Sequence, residues 1–373
     1  MGWGSGGRLN RTWSLGLTQA VGYHSLSSLR QRATTTNKSV TMNPRVAIPE
    51  NPLTRFKSIY AALEKDRRWW RGSLRLRYGA MAAICTDGES GRIATGIRDM
   101  ERQLKDASPW NLNVGPSIRF ILGAVLYQNG DSAKAFIREV ERVRKMFRAE
   151  KLHRALYMEM LAILVLRIQS GGGLVTKQTV SRFRNIYDEM KQNHRWLTGA
   201  DDFPACAILT GQDGTSHSIG EKTESIYSEL RSQKFAGGNP LQTASNLLFL
   251  ADGSPRVLAE RMSTLKTELR AHKVRINQMQ YDELAILAFL DQPATRVVAE
   301  VLGNRDELKK IRPRFDAGTI FNVAVGIAFV KLSSRGAGKV AISQTKTLLD
   351  MQAVIAAQQA AVAGAAAASA AAS

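Results

Sequence analysis

The chain has 373 residues, a formal net charge of +20, a 44% share of hydrophobic residues and two cysteines. That length and apolar content leave room for a large core or a multi-unit helical array. Cys85 and Cys206 both sit inside apolar runs, which speaks against a secreted disulfide scaffold and suits buried thiols in a reducing compartment.

Residues 1–42 are rich in Ser, Thr and Gly, and the basic residues Arg8, Arg11, Arg30, Arg32 and Lys38 stand there without an acid. Two readings are open. One is an organellar transit peptide, which would place the protein in the mitochondrial matrix. The other is an upstream extension, with Met42 as the true first residue. Either way the segment is expected to be disordered. No apolar stretch followed by a small-residue cleavage site points to secretion.

A short apolar run then recurs about every forty residues. The copies are Tyr78 to Ile84, Phe120 to Leu126, Met160 to Leu166, Pro204 to Thr210, Ala244 to Leu250, Glu283 to Phe289 and Val323 to Phe329. Each is too short to span a bilayer, so no membrane insertion is expected. Most are followed by a turn signal such as Asn129-Gly130-Asp131 or Asp252-Gly253. Between the copies lie charged segments with helical periodicity: 92–104, 133–147, 180–192, 223–230, 255–269 and 296–308. In 133–147, Phe136, Ile137, Val140, Val143, Met146 and Phe147 form one stripe, with Lys134, Arg138, Glu141 and Arg144 facing away. Strand alternation is nearly absent. The pattern predicts an all-α fold, an array of about seven stacked helical hairpins, α-solenoid-like or α/α superhelical, filling one domain over 52–362. The apolar helix forms the inner layer and the amphipathic helix covers it. At the end, 347–362 reads as a helix with one apolar face, and 363–373 as an Ala/Ser-rich frayed tail.

Polar or turn residues stand just before several apolar runs. Parallel stacking would align these starts on one rim, where backbone N–H groups favour anions. Asp201 and Asp202 read either as an acid pair for metal or proton chemistry or as helix caps before Phe203-Pro204. His194 and His217 are the histidines nearest to them, without a recognised ligand spacing, so no metal is assigned. Asn239 reads as the cap of a helix beginning at Pro240, and Gln242 as a polar residue in its first turn. Thr198, Asp201, Asp202, Asn239 and Gln242 together form the candidate ligand-binding set, expected on one rim around a shared concavity. The segment Arg67-Arg68-Trp69-Trp70-Arg71 could stack on nucleic acid or pack Trp beneath arginine stems.

Two stretches carry a family resemblance. One runs from Ile186 through His194-Arg195-Trp196-Leu197-Thr198-Gly199-Ala200-Asp201-Asp202 to Leu209; the other is Gly238-Asn239-Pro240-Leu241-Gln242 with Ser245, Leu247 and Leu248. Together they resemble the bacterial domain-of-unknown-function family numbered four thousand and three, over roughly 52–362. The resemblance implies a bacterial cytoplasmic protein, and so favours a misplaced start for residues 1–42. It brings no activity, ligand, cofactor or catalytic residue with it.

Three functions fit. The first is a non-catalytic module binding a protein or peptide partner along a solenoid groove. The second is an enzyme with its site at the rim around the Thr198–Asp202 and Asn239–Gln242 blocks. The third is binding of an anionic ligand or nucleic acid by the basic surface.

Overall fold

A computed structural model of the chain describes residues 47–65, 74–107, 115–155, 157–193, 198–312 and 314–333. Among them every regular element is helical. The order is α1 Pro52–Glu64, α2 Leu74–Ala82, α3 Ser90–Ala107, α4 Pro116–Asn129, α5 Ala133–Ala149, α6 Tyr157–Gln169, α7 Lys177–Asn193, α8 Phe203–Thr210, α9 Ser216–Ser232, α10 Asn239–Leu248, α11 Pro255–Ala271, α12 Tyr281–Ala288, α13 Ala294–Leu308 and α14 Ala317–Ser333. Single 3-10 turns, Ala200–Asp202 and Gln278–Gln280, lead into α8 and α12. The Arg67–Arg71 segment, the 347–362 helix and both chain ends lie outside the described residues. No helix among the described residues is long and apolar enough to cross a membrane.

Two kinds of helix alternate. The odd-numbered ones are amphipathic: α5 buries Phe136, Ile137, Val140, Val143 and Phe147 and leaves Met146 half-buried. The even-numbered ones are mostly buried, and α6 is buried at every position from Met158 to Arg167. Leu126, Leu164, Leu209, Leu248 and Leu287 are each at most 1% exposed. Burying one such side chain contributes about 1.5–3 kcal/mol, which holds the apolar helices inside. Several amphipathic helices start on a hydroxyl cap: Ser132, Thr215 and Ser254 accept from the backbone N–H of Ala135, Ser218 and Val257. Where α3 crosses α4, a Cβ on Gly123 would stand 3.2 Å from the backbone nitrogen of Glu101, so glycine sets that close approach.

Even-numbered helices pack on one another, α2 on α4, α6 on α8, α10 on α12 and α12 on α14, and odd-numbered helices do the same from α1 to α13. A stack open at both ends would keep its first and last helices apart. Instead α14 packs against both α1 and α2, and Lys57 of α1 reaches Glu307 of α13 at 2.9 Å.

Arginines tie successive hairpins together. Arg55 donates to the carbonyls of Thr86 and Gly88, Arg98 to Leu63, Arg182 to Thr210 and Gln212, and Arg184 to Glu150. These guanidinium groups satisfy carbonyls left over at helix ends. These four arginines therefore have a structural use within the fold.

Candidate functional site

Three buried acids stand at the starts of the apolar helices without a cation in contact among the described residues: Asp202, Asp282 and Glu283.

Thr198 and Gln242, from the two blocks that the sequence singles out, meet through a hydrogen bond. The Gln242 Nε2 donates to Thr198 Oγ1 at 3.2 Å, and both residues are buried. Thr198 Oγ1 in turn donates to the Met190 carbonyl at 3.0 Å. Asp202 is 4% exposed and accepts the Gly199 N–H at 2.8 Å. Burial pushes its carboxyl up to about 6 against the pull of that N–H, with nearby Asp201 adding to the rise. Asp202 packs under Tyr187, whose hydroxyl burial and the Asp202 charge push up to about 12. Asp201 is exposed and lies near the Tyr157 hydroxyl.

Two capping expectations change. The Asp202 side chain makes no cap bond to α8; it closes the preceding 3-10 turn instead. Helix α10 begins at Asn239, not Pro240, with Gly238 before it at φ 124°, where glycine alone is unstrained. Asn239 is exposed and is not the cap. Thr198, Asp202 and Gln242 are thus buried, while Asp201 and Asn239 face solvent. Among the described residues no three His, Cys, Asp or Glu side chains gather as metal ligands. His217 meets Glu189 at 3.3 Å and Glu221 at 3.4 Å at the surface, and His194 lies outside the described residues.

A second polar cluster lies where α14 meets α12 and α2. Asp282 and Glu283 open α12 side by side and are 6% and 3% exposed. Asn322 of α14 donates its Nδ2 to Glu283 Oε1 at 2.9 Å. Burial pushes both carboxyls up, Glu283 well above the usual range, and the charge of Asp282 raises it further. Tyr78 of α2 lies near Thr319, and burial with the neighbouring acids pushes its hydroxyl up to about 12. Thr319 donates to Asp316 Oδ2 at 2.6 Å. Arg77, on the same helix as Tyr78, is drawn away from the pair: it stacks 3.7 Å over the Phe315 ring and reaches Asp316 at 3.4 Å.

The sequence reading passed over Glu283, Asn322 and Tyr78 as sites. A signal was present: a Glu and an Asn inside runs that are apolar on every face must be buried wherever those runs are helical. The geometry can hold a proton at the Asp282–Glu283 pair and neutral donors and acceptors around it.

The chain is similar to an uncharacterized protein of Bacillus subtilis (strain 168), YeaA, with 25% identity over 189 residues, 50% of this chain and 55% of that one. It therefore spans about half the length of that curated relative. No solved structure matches it. The model of the family described as proteins of unknown function, DUF4003, matches residues 59–360, and the chain belongs to that family.

Proposed function

We propose that the helices form a closed two-layered α/α ring, and that the protein holds a polar small molecule at the end where the inner, apolar helices begin. The ring reading rests on the return of α14 to α1 and α2. It leaves no open superhelical groove, which is what a peptide-binding solenoid uses. The nucleic-acid reading weakens because arginines such as Arg55, Arg98 and Arg182 are committed to backbone carbonyls. Buried free thiols at Cys85 and Cys206 suit a cytoplasmic setting.

The observation that carries the reading is the Asp282–Glu283 pair. Two carboxyls buried side by side, with an amide as partner and no cation in contact among the described residues, work against stability. A group kept protonated near neutrality can donate a hydrogen bond or a proton to a bound molecule. The test is a thermal-shift screen of the full chain against sugars, amino acids, nucleosides and carboxylic acids. A compound that stabilises the wild type and loses its effect in Glu283→Gln and Asp282→Asn is the expected result. A panel without a stabilising compound, or hits indifferent to both substitutions, would overturn the reading.

A further inference from the structure

A separate cleft of ≈ 240 Å³ opens between α7, α9 and α10 and narrows to room for a single water, ≈ 10 Å³. Its walls are Asn193, Thr223, Glu224, Tyr227, Gln242, Ser245 and Asn246, with Met190 as the one apolar contributor. Among the described residues no basic side chain lines it, in a chain that carries 52 lysines and arginines. It shares no residue with the Asp282–Glu283 cluster.

In this wall Gln242 Oε1 and Asn246 Nδ2 are buried without a partner among the described residues, on side chains of residues each 3% exposed. The Gln242 orientation is fixed by a relay. Thr198 Oγ1 spends its proton on the Met190 carbonyl, so it can only accept from Gln242, and the amide must present Nε2 to Thr198. Gln242 Oε1 is left as an acceptor. Asn246 lies four residues on, one turn along the same face. Ser245 and Thr223 donate to their own helices, at the Leu241 and Ile219 carbonyls, and offer only oxygen lone pairs to the cleft.

The missing partner is thus defined chemically. It must donate to Gln242 Oε1 and accept from Asn246 Nδ2. A carboxylate or phosphate has no proton for Gln242. An ammonium has no lone pair for Asn246. A hydroxyl does both and fits the narrow end. We propose that this cleft binds a neutral polyhydroxylated small molecule, of the sugar or polyol class, through one hydroxyl inserted between Gln242 and Asn246. The half-buried Tyr227 lines the cleft beside it and supplies a ring against which the C–H groups of such a ligand can lie.

The experiment is saturation-transfer NMR on the full chain with glucose, N-acetylglucosamine and myo-inositol, alongside their O-methylated derivatives. Transfer to at least one polyol, at least tenfold weaker for the derivative methylated at the inserted hydroxyl, is expected. Gln242→Leu removes the acceptor and should abolish transfer. Should that variant fail to fold, Asn193→Trp blocks the mouth from an exposed position and should abolish it with the fold intact. Asp282→Asn should leave it unchanged, which separates this site from the carboxyl pair. Absence of transfer from every polyol would show that the cleft holds an ordered water only. Transfer unchanged in Asn193→Trp would place binding elsewhere. Either result overturns the proposal.

Discussion

The two ends of the apolar helices are built differently. Where these helices finish, left-handed backbone is supplied by glycine: Gly88, Gly130, Gly171, Gly214 and Gly253 all have positive φ. Buried acids there are given arginines. Asp131 is held by Arg167 at 2.5 and 2.8 Å, and Glu139 by Arg142 at 2.6 and 2.8 Å. Where the apolar helices begin, positive φ occurs at Gly238 and also at three residues with side chains, Lys151, Lys234 and Lys273. Of the buried acids at that end, Glu159 is held by Arg144 and Arg148, while among the described residues Asp202 and Glu283 meet an N–H and an amide, and Asp282 no cation. The first end is arranged for stability and the second tolerates strain and unpaired acid. Stability given up at one end of a fold is where a functional site is expected.

The largest test breaks the stable end. The Asp131 and Arg167 side chains are 5% and 7% exposed. Removing one partner strands a buried charge, so Arg167→Met should cost about 3–5 kcal/mol in urea unfolding. Replacing both, as Arg167→Met with Asp131→Leu, should recover most of that loss. A single variant as stable as the wild type would show that this pair does not distinguish the two ends.

The next test takes an unpaired acid from the other end. The Asp202 carboxyl is pushed from 3.8 to about 6 by burial. A raised folded-state value means that stability is fully present below the unfolded value and is lost as pH rises through the folded one. The wild type should therefore lose about 3 kcal/mol between about pH 4 and pH 6 on this account. Asp202→Asn keeps an acceptor for the Gly199 N–H and removes the charge. It should flatten that part of the profile and be about 1–3 kcal/mol more stable than wild type at pH 7. The two should coincide near pH 4. Parallel profiles for both proteins across this range would mean that Asp202 is paid no penalty for being buried.

Much of this architecture was legible in the residues. The spacing of Leu126, Leu164, Leu209, Leu248 and Leu287 gave the buried helices, because an all-round apolar helix has only one place to go. The two blocks stand at matching places before successive apolar runs, but the Gln242–Thr198 hydrogen bond itself was not readable. The return of α14 to α1 and α2 was not readable, because periodicity fixes what each helix buries and says nothing of the curvature accumulated over many of them. The commitment of arginines to carbonyls was hidden for a similar reason. A charge count records Arg55 and Arg182 and is blind to the helix ends lying some thirty residues away in sequence. The carboxyl pair was hidden by rank. Glu283 was read as part of an apolar run, when its burial was the informative fact. The left-handed lysines went unnoticed although Lys151-Leu152, Lys234-Phe235 and Lys273-Val274 repeat the same pattern.

Those lysines give the smallest and most general test. In each, the following apolar residue folds back to accept the helix end: the N–H groups of Leu152, Phe235 and Val274 donate to the carbonyls of Phe147, Leu230 and Leu269, the six-to-one bond that closes a helix through a left-handed residue. A side chain there strains the backbone by about 1–2 kcal/mol. Glycine would relieve it, at a cost of about 0.5–1 kcal/mol in unfolded-state entropy and of a favourable charge near the helix C-terminus, about 0.3–1 kcal/mol. Lys234→Gly should then gain at most about 1 kcal/mol, whereas Lys234→Ala keeps the strain, loses the charge and should be slightly destabilised. At the opposite end, Gly130→Ala introduces the strain at φ 66° and should cost about 1 kcal/mol. The comparison of the two ends requires opposite signs for Lys234→Gly and Gly130→Ala in urea unfolding. If both substitutions destabilise equally, the lysine end is held by its charge, and strain there contributes nothing to the difference.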